Sequence, residues 1–335
     1  GQIGIAQKNY SGTTGINEIK LDNAGVIDLS GSNSVGIAAD YGHVININKI
    51  RTTGSNSIGI VSANGTLTEN NGEVVIGGSD TAGIYGVNYL DGVTDSSVLG
   101  YGNNKIDITN NGKIASEGTG KVYGVYAANN AVPTADSKIN LANGTIDISS
   151  SKGGTGVYAV NTTVTGGGTL EVNLKDPTSK LAILDTPGTI LLSSLGAAYA
   201  PGATITPQVK ISSSSNPNYT PFSITKGTLI VDQAVNLNNA ADSYNKSDFI
   251  NSGVDVNSSI TGSNAGQLAV GQVNYGTGAA PVDRAIITIN NNNVIDMSGN
   301  KSTGILADFG DITNTGAGSF IKVTGEEAIP GIKRW

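Results

Sequence analysis

Residues 70–86 read NNGEVVIGGSDTAGIYG: an Asn-Asn-Gly turn, a short β-branched stretch, a second polar turn, then a Gly followed by an apolar residue. The same phrase stands at 23–39 (NAGVIDLSGSNSVGIAA), 46–62 (NINKIRTTGSNSIGIVS), 110–127 (NNGKIASEGTGKVYGVYA), 142–159 (ANGTIDISSSKGGTGVYA) and 291–307 (NNNVIDMSGNKSTGILA). The glycines that close it are Gly36, Gly59, Gly83, Gly124, Gly156 and Gly304, so the first four steps are 23, 24, 41 and 32 residues. Self-similarity at 20–50 residues predicts a stacked solenoid.

Aligning the phrases on these glycines puts Ile27, Ile50, Val74, Ile114, Ile146 and Ile295 in one column. Two residues on stand Leu29, Thr52, Ile76, Ser116, Ile148 and Met297, with Asp28, Arg51, Val75, Ala115, Asp147 and Asp296 between. This period-two alternation is that of a half-buried strand. A second strand follows each closing Gly, with Ile37, Ile60, Ile84, Val125, Val157 and Ile305 as its inward column. The residues Gly25, Asn48, Gly72, Gly112, Gly144 and Asn293 precede the first strand. Gly and Asn tolerate positive φ, so a left-handed turn is expected there. Asn23, Asn46, Asn70, Asn110 and Asn291, with Ala142 as the exception, form a further column suited to an Asn ladder. The outward columns place Lys49 beside Glu73, Glu73 beside Lys113, and Asp28 beside Arg51. Opposite charges one strand apart attract and fix register.

The expected fold is therefore all-β, a right-handed parallel β-helix with protruding loops; a β-sandwich array or a propeller are the alternatives. Composition agrees. The 335 residues include 47 Gly, few aromatics, and recurrent runs of Ile, Val and Thr, which favour many short strands joined by turns. With coils of about 23 residues and a rise of ~4.8 Å, the chain would extend about 70 Å.

Three regions are expected. Residues 1–165 carry regular repeats with a loop insertion at 88–105, residues 166–285 an irregular β-helix with extended Pro/Ser-rich loops, and residues 286–335 regular repeats again. Six of the nine prolines fall in 177–221, and proline cannot donate to a strand ladder. The opening GQIGIAQ reads as the tail of a repeat already under way, so a longer parent chain is expected.

Several function classes are disfavoured. A net charge of −7 without a basic stripe argues against nucleic acid. The chain has no cysteine, which fits passage through a periplasm in unfolded form and removes thiol catalysis and thiolate metal sites. No apolar run reaches the length of a membrane helix. The single histidine, His43, sits in an ordinary repeat without a nucleophile elbow and reads as a satisfied turn or surface residue. No Walker loop, H-E-x-x-H or EF-hand loop occurs. Asp28, Asp107, Asp147 and Asp296 recur in an I-D-[ILM] phrase and are expected to be outward surface residues rather than catalytic carboxylates. The chain is expected to be no enzyme, with no cofactor and no metal. Candidate contact residues lie where the repeat breaks: Tyr89, Asp91, Asp95 and Tyr101 in the insertion, and Tyr199, Tyr219 and Phe222 in the Pro-rich region.

The phrase N-N-G-x-[IV]-x-[IV]…G-x-x-[ST]-x-G-[IV]-x-[AG], as it stands at 70–86, 110–127 and 291–307, resembles the passengers of very large type V autotransporter adhesins, in particular the giant fusobacterial outer-membrane adhesins. The likeness covers about two thirds of the chain, lapsing over 165–285. It implies a β-helical stalk on a Gram-negative cell surface that attaches to protein or glycan receptors on other bacteria or host cells. It also implies anchoring through a C-terminal outer-membrane barrel, whose strand series is not visible in this chain. A carbohydrate-active β-helix enzyme and a purely structural stalk spacer are the competing expectations.

Overall fold

A computed structural model describes residues 1–7, 19–40, 42–88, 105–129, 137–166, 168–172, 179–185, 188–191, 222–224, 227–232, 234–236, 253–272, 287–308 and 310–334. The described residues form strands and turns without helix. All their strand pairings are parallel.

Contacts divide the chain into two units. The first comprises 1–173 with 181–186 and 194–196; the second comprises 174–180, 187–193 and 197–335. In the first unit each repeat gives one strand to each of three sheets. Sheet A has eight strands, in the order Ile3–Gln7, Val35–Asp40, Ile58–Ala63, Thr81–Val87, Val122–Ala128, Thr155–Val160, Lys180–Asp185 and Phe222–Ile224. Sheet B runs Ile19–Asn23, Gly42–Asn46, Leu67–Asn70, Asp107–Asn110, Lys138–Asn140 and Thr163–Thr165. Sheet C runs Ile27–Leu29, Lys49–Thr52, Glu73–Gly77, Lys113–Glu117, Thr145–Ile148 and Thr169–Val172. Neighbours within a sheet are thus three strands apart in sequence, in sheet A as far as Lys180–Asp185. In the second unit the same spacing of three holds from Gly253–Val256 onward.

The columns expected from the sequence are register columns. Ile27, Ile50, Val74, Ile114, Ile146 and Leu170 pair in succession along sheet C. In sheet A, Ile5, Ile37, Ile60, Ile84, Val125 and Val157 do the same. From Ile37 to Val157 this column is fully buried, and so is Ile50 through Ile114 in sheet C. Stacked β-branched side chains on one face of each strand supply the apolar burial. A buried Asn ladder runs beside them: Asn23 Nδ2 donates to Asn46 Oδ1, Asn46 to Asn70 and Asn70 to Asn110, each at 2.8 Å.

The closing glycines have a specific job. A Cβ on Gly36, Gly59, Gly83 or Gly124 would collide with the γ carbon of Ile50, Val74, Ile114 or Ile146 and with the carbonyl of the next glycine in the column. These glycines have no register partners, although the residues on either side do.

Three expectations need correction. Gly25, Asn48, Gly72, Gly112, Gly144 and Asn293 do not have positive φ; left-handed residues stand instead at Asn33, Asn56 and Asp80, among others, at the turn between sheets C and A. Each of these three donates its amide to the turn of the next repeat at 2.7–2.9 Å. Gly72 and Gly112 are required by proximity, because a Cβ would strike the carbonyls of Asn48 and Gly72. Asn48 instead uses its side chain, donating to Ala24 O at 2.8 Å.

Ala142 is not the member of the Asn column in its repeat. The register Thr109↔Asn140 makes Leu141 the residue beside Asn110. Ala142 is an extra corner residue with φ 45°.

Asp107 is not an outward template residue of sheet C. It begins a sheet B strand and is 6% exposed, with Lys105 and Lys138 Nζ at 3.5 and 3.4 Å from its carboxylate.

Candidate interaction surfaces

Six of the expected contact residues, Tyr89, Asp91, Asp95, Tyr101, Tyr199 and Tyr219, lie outside the described residues. Phe222 opens the strand Phe222–Ile224, and its side chain is likewise outside the description. The stems of the insertion are placed. Asn88 Nδ2 donates to Asn129 Oδ1 at 3.0 Å, and Asn129 Nδ2 donates to Ser137 Oγ at 2.7 Å. Ser137 Oγ also accepts the Ile106 amide at 2.9 Å. The flanks Asn88 and Asn129 at the end of sheet A and Ile106 and Ser137 at the start of sheet B thus meet in one polar corner.

The outward faces of sheets B and C carry the charges. On sheet C, Lys49 Nζ lies 3.1 Å from Glu73 in the adjacent strand, as its register requires. Arg51 bridges Asp28 at 3.1 Å on one side and Glu117 at 2.8 Å on the other. Glu117 is paired with Gly77, so the guanidinium reaches across the intervening strand over a residue without a side chain. Hydrogen bonds to Glu117 and Asp28 hold the Arg51 guanidinium more firmly protonated than usual, and the Arg51 bond holds Glu117 below the ordinary glutamate range. Asp147 Oδ1 accepts from Ser149 Oγ at 2.6 Å, and Asp296 lies 3.1 Å from Lys322 Nζ. On sheet B, His43 Nε2 meets Glu69 Oε1 at 3.2 Å. The histidine is thus a partnered surface residue. Among the described residues no group of three or more His, Cys, Asp or Glu is placed to hold a metal.

Sheet A differs. Its outward column two residues after each closing glycine is Ala6, Ala38, Val61, Tyr85, Tyr126 and Tyr158. Tyr126 stacks between Tyr85 (centroids 5.1 Å apart) and Tyr158 (4.4 Å). Tyr123 meets Tyr126 edge-on at 5.5 Å and Tyr158 at 6.2 Å. Residues three apart on a regular strand face opposite sides; here the unpaired Gly124 between Tyr123 and Tyr126 brings both to one side. Lys121 Nζ sits 5.3 Å from the Tyr123 ring centre, within cation–π range. Burial, and then its tyrosine neighbours, push the Tyr126 hydroxyl up to about 12. Outward tyrosines at template positions were not singled out from sequence because template residues read as scaffold. The signal that finds them is the recurrence of Tyr at the second place after Gly83, Gly124 and Gly156.

No protein-family model, no curated protein and no solved structure matches this chain.

Proposed function

We propose that the parallel sheets of this chain wind into a right-handed parallel β-helix, and that the chain is a non-enzymatic passenger segment of a cell-surface adhesin. The observation that carries this reading is the unbroken residue-on-residue register through successive repeats, with its Asn ladder and glycine–isoleucine interlock. Such a scaffold is extendable and self-similar, and it resembles an autotransporter stalk. Attachment to protein or glycan receptors on other bacteria or host cells then falls to what the scaffold presents, including the insertion that leaves the corner at Asn88. Location on a Gram-negative outer surface, with anchoring through a barrel elsewhere in a longer chain, belongs to the same proposal. The template carboxylates support a non-enzymatic role, since Asp28, Asp147 and Asp296 are each engaged by Arg51, Ser149 or Lys322.

The test compares binding of labelled chain to bacterial and host cells with that of variants lacking 89–104 or 212–222. Loss of attachment in a variant that keeps its β-sheet circular dichroism is the expected result. Attachment by none of the proteins, the intact chain included, would leave the spacer role and overturn the adhesin reading.

A further inference from the structure

We infer that the outward face of sheet A is a self-association surface, and that two copies of this chain pair through it about a two-fold axis. Three observations lead there. First, the leading six of the eight strands of this sheet carry no charged residue except Asp40 at a strand end, and the seventh, Lys180–Asp185, carries charge only at its two ends, whereas the outward faces of sheets B and C hold the ion pairs described above. Charge depletion with aromatic enrichment inside a polar rim is the composition of an interface centre, and here Asp40, Asp80 and Lys121 supply the rim.

Second, the tyrosine rings are stacked on one another, with both faces of Tyr126 covered. They offer outward edges and hydroxyls, which suits a flat protein surface better than a sugar ring laid on an aromatic face.

Third, the stripe has two halves of opposite relief. Tyr85, Tyr126 and Tyr158 form a ridge over three strands, while Ala6, Ala38 and Val61 form a shelf over the preceding three. A two-fold axis between Val61 and Tyr85 sets each ridge on the other copy's shelf, Tyr126 over Ala38, which is the self-complementarity an isologous contact requires. An uncharged face also meets its own copy without like-charge repulsion.

The ridge and shelf together, six strands at ~4.8 Å and about five residues along each, give roughly 400 Å² of projected face per copy. Stable pairs bury about 800 Å² on each partner, so the association is weak and reversible.

Sedimentation velocity of the full chain at low and high micromolar concentration tests this. The expected result is a monomer–dimer equilibrium that tightens from 50 to 500 mM NaCl, because salt screens the −7 charge on each copy while the contact itself is uncharged. Ala38→Arg should weaken dimerisation at least tenfold with circular dichroism unchanged. The absence of cysteine makes single thiols clean reporters of geometry. A mixture of Ala38→Cys and Tyr126→Cys chains should cross-link with a bis-maleimide spanning about 10 Å, the spacing of packed sheets. Either variant alone should not, since like positions would lie about 17 Å apart in the proposed pair.

A chain monomeric at every concentration and salt, a dimer indifferent to Ala38→Arg, or cross-links in the single-variant samples would each overturn the proposal. So would a monomer that binds a neutral glycan array and loses that binding with Tyr126→Ser. The adhesin reading is separable: cell attachment by the monomeric Ala38→Arg chain tests it without the dimer.

Discussion

At the residue scale the Asn column is the most exacting feature of the chain. The middle members Asn46 and Asn70 each donate to the next Asn and accept from the previous one, so removing either leaves two buried groups without partners. Asn70→Ala strands Asn46 Nδ2 and Asn110 Oδ1. Each orphaned buried group costs about 1–3 kcal/mol, so the variant should lose about 2–6 kcal/mol in urea unfolding. A loss under 1 kcal/mol would mean the ladder is decoration. The ladder was legible in the sequence as far as Asn110, and its end was not. Alignment on glycines assumes equal arcs, while the repeat after Asn110 has one extra residue at the corner, Ala142, which shifts Leu141 beside Asn110 and leaves Asn110 Nδ2 unpartnered.

Tyr126 gives a second residue-level expectation. Its folded hydroxyl titrates near 12 against an ordinary 10. A group whose folded value is raised contributes its stability below the unfolded value and loses it as pH climbs through the folded one. Stability should therefore decline between about pH 10 and pH 12, and part of that decline should vanish in Tyr126→Phe. Urea midpoints at pH 9, 10, 11 and 12 for both proteins decide it.

At the scale of the element, the repeat is an interlock between two sheets. Each closing glycine of sheet A receives the γ carbon of a sheet C residue, so both columns are fixed by the same space. Sequence showed the two columns without their coupling, because a glycine at the start of a strand reads as a turn. For the same reason the Gly/Asn column before sheet C was expected to be left-handed when it is a site of close backbone approach. Left-handed Asn33, Asn56 and Asp80 sit instead in the turn between sheets C and A, where Asn and Asp are as tolerant of positive φ as in the column before sheet C, so residue type alone does not separate the two turns. One imperfect position is informative. Thr52 lies between Leu29 and Ile76 in sheet C, fully buried, and its hydroxyl finds no partner. Thr52→Val keeps the branched shape and removes the orphan, so it should stabilise the chain by about 1 kcal/mol. A destabilised Thr52→Val protein would show that the hydroxyl is satisfied in solution.

At the scale of the whole molecule, the surface divides by sheet in a way the linear sequence hides. Charged residues and the residues of the sheet A stripe are interleaved along the sequence, and only the three-sheet arrangement of the first unit sorts them into charged B and C faces and a charge-poor A face. The tyrosine ridge, unlike the candidate contact residues of the insertion and the Pro-rich region, is built by the repeat itself. The same arrangement governs stability. Strands in the first unit touch chiefly the strands three before and three after, so protection should follow nearest neighbours rather than one global core. Ile3–Gln7 ends sheet A with a neighbour on one side only, and Ile3 is 63% exposed. Val125 and Ile84 have buried partners on both sides. Native-state hydrogen exchange should accordingly show amide protection rising from Ile5 through Ile37 and Ile60 to a plateau over Ile84 and Val125. Asn70→Ala should lower protection most at Ile45, Ile108 and their immediate repeats, and least at Ile5. Equal exchange free energies at Ile5 and Ile84 would instead mean that the unit opens all at once, with coupling between repeats strong enough to erase the end.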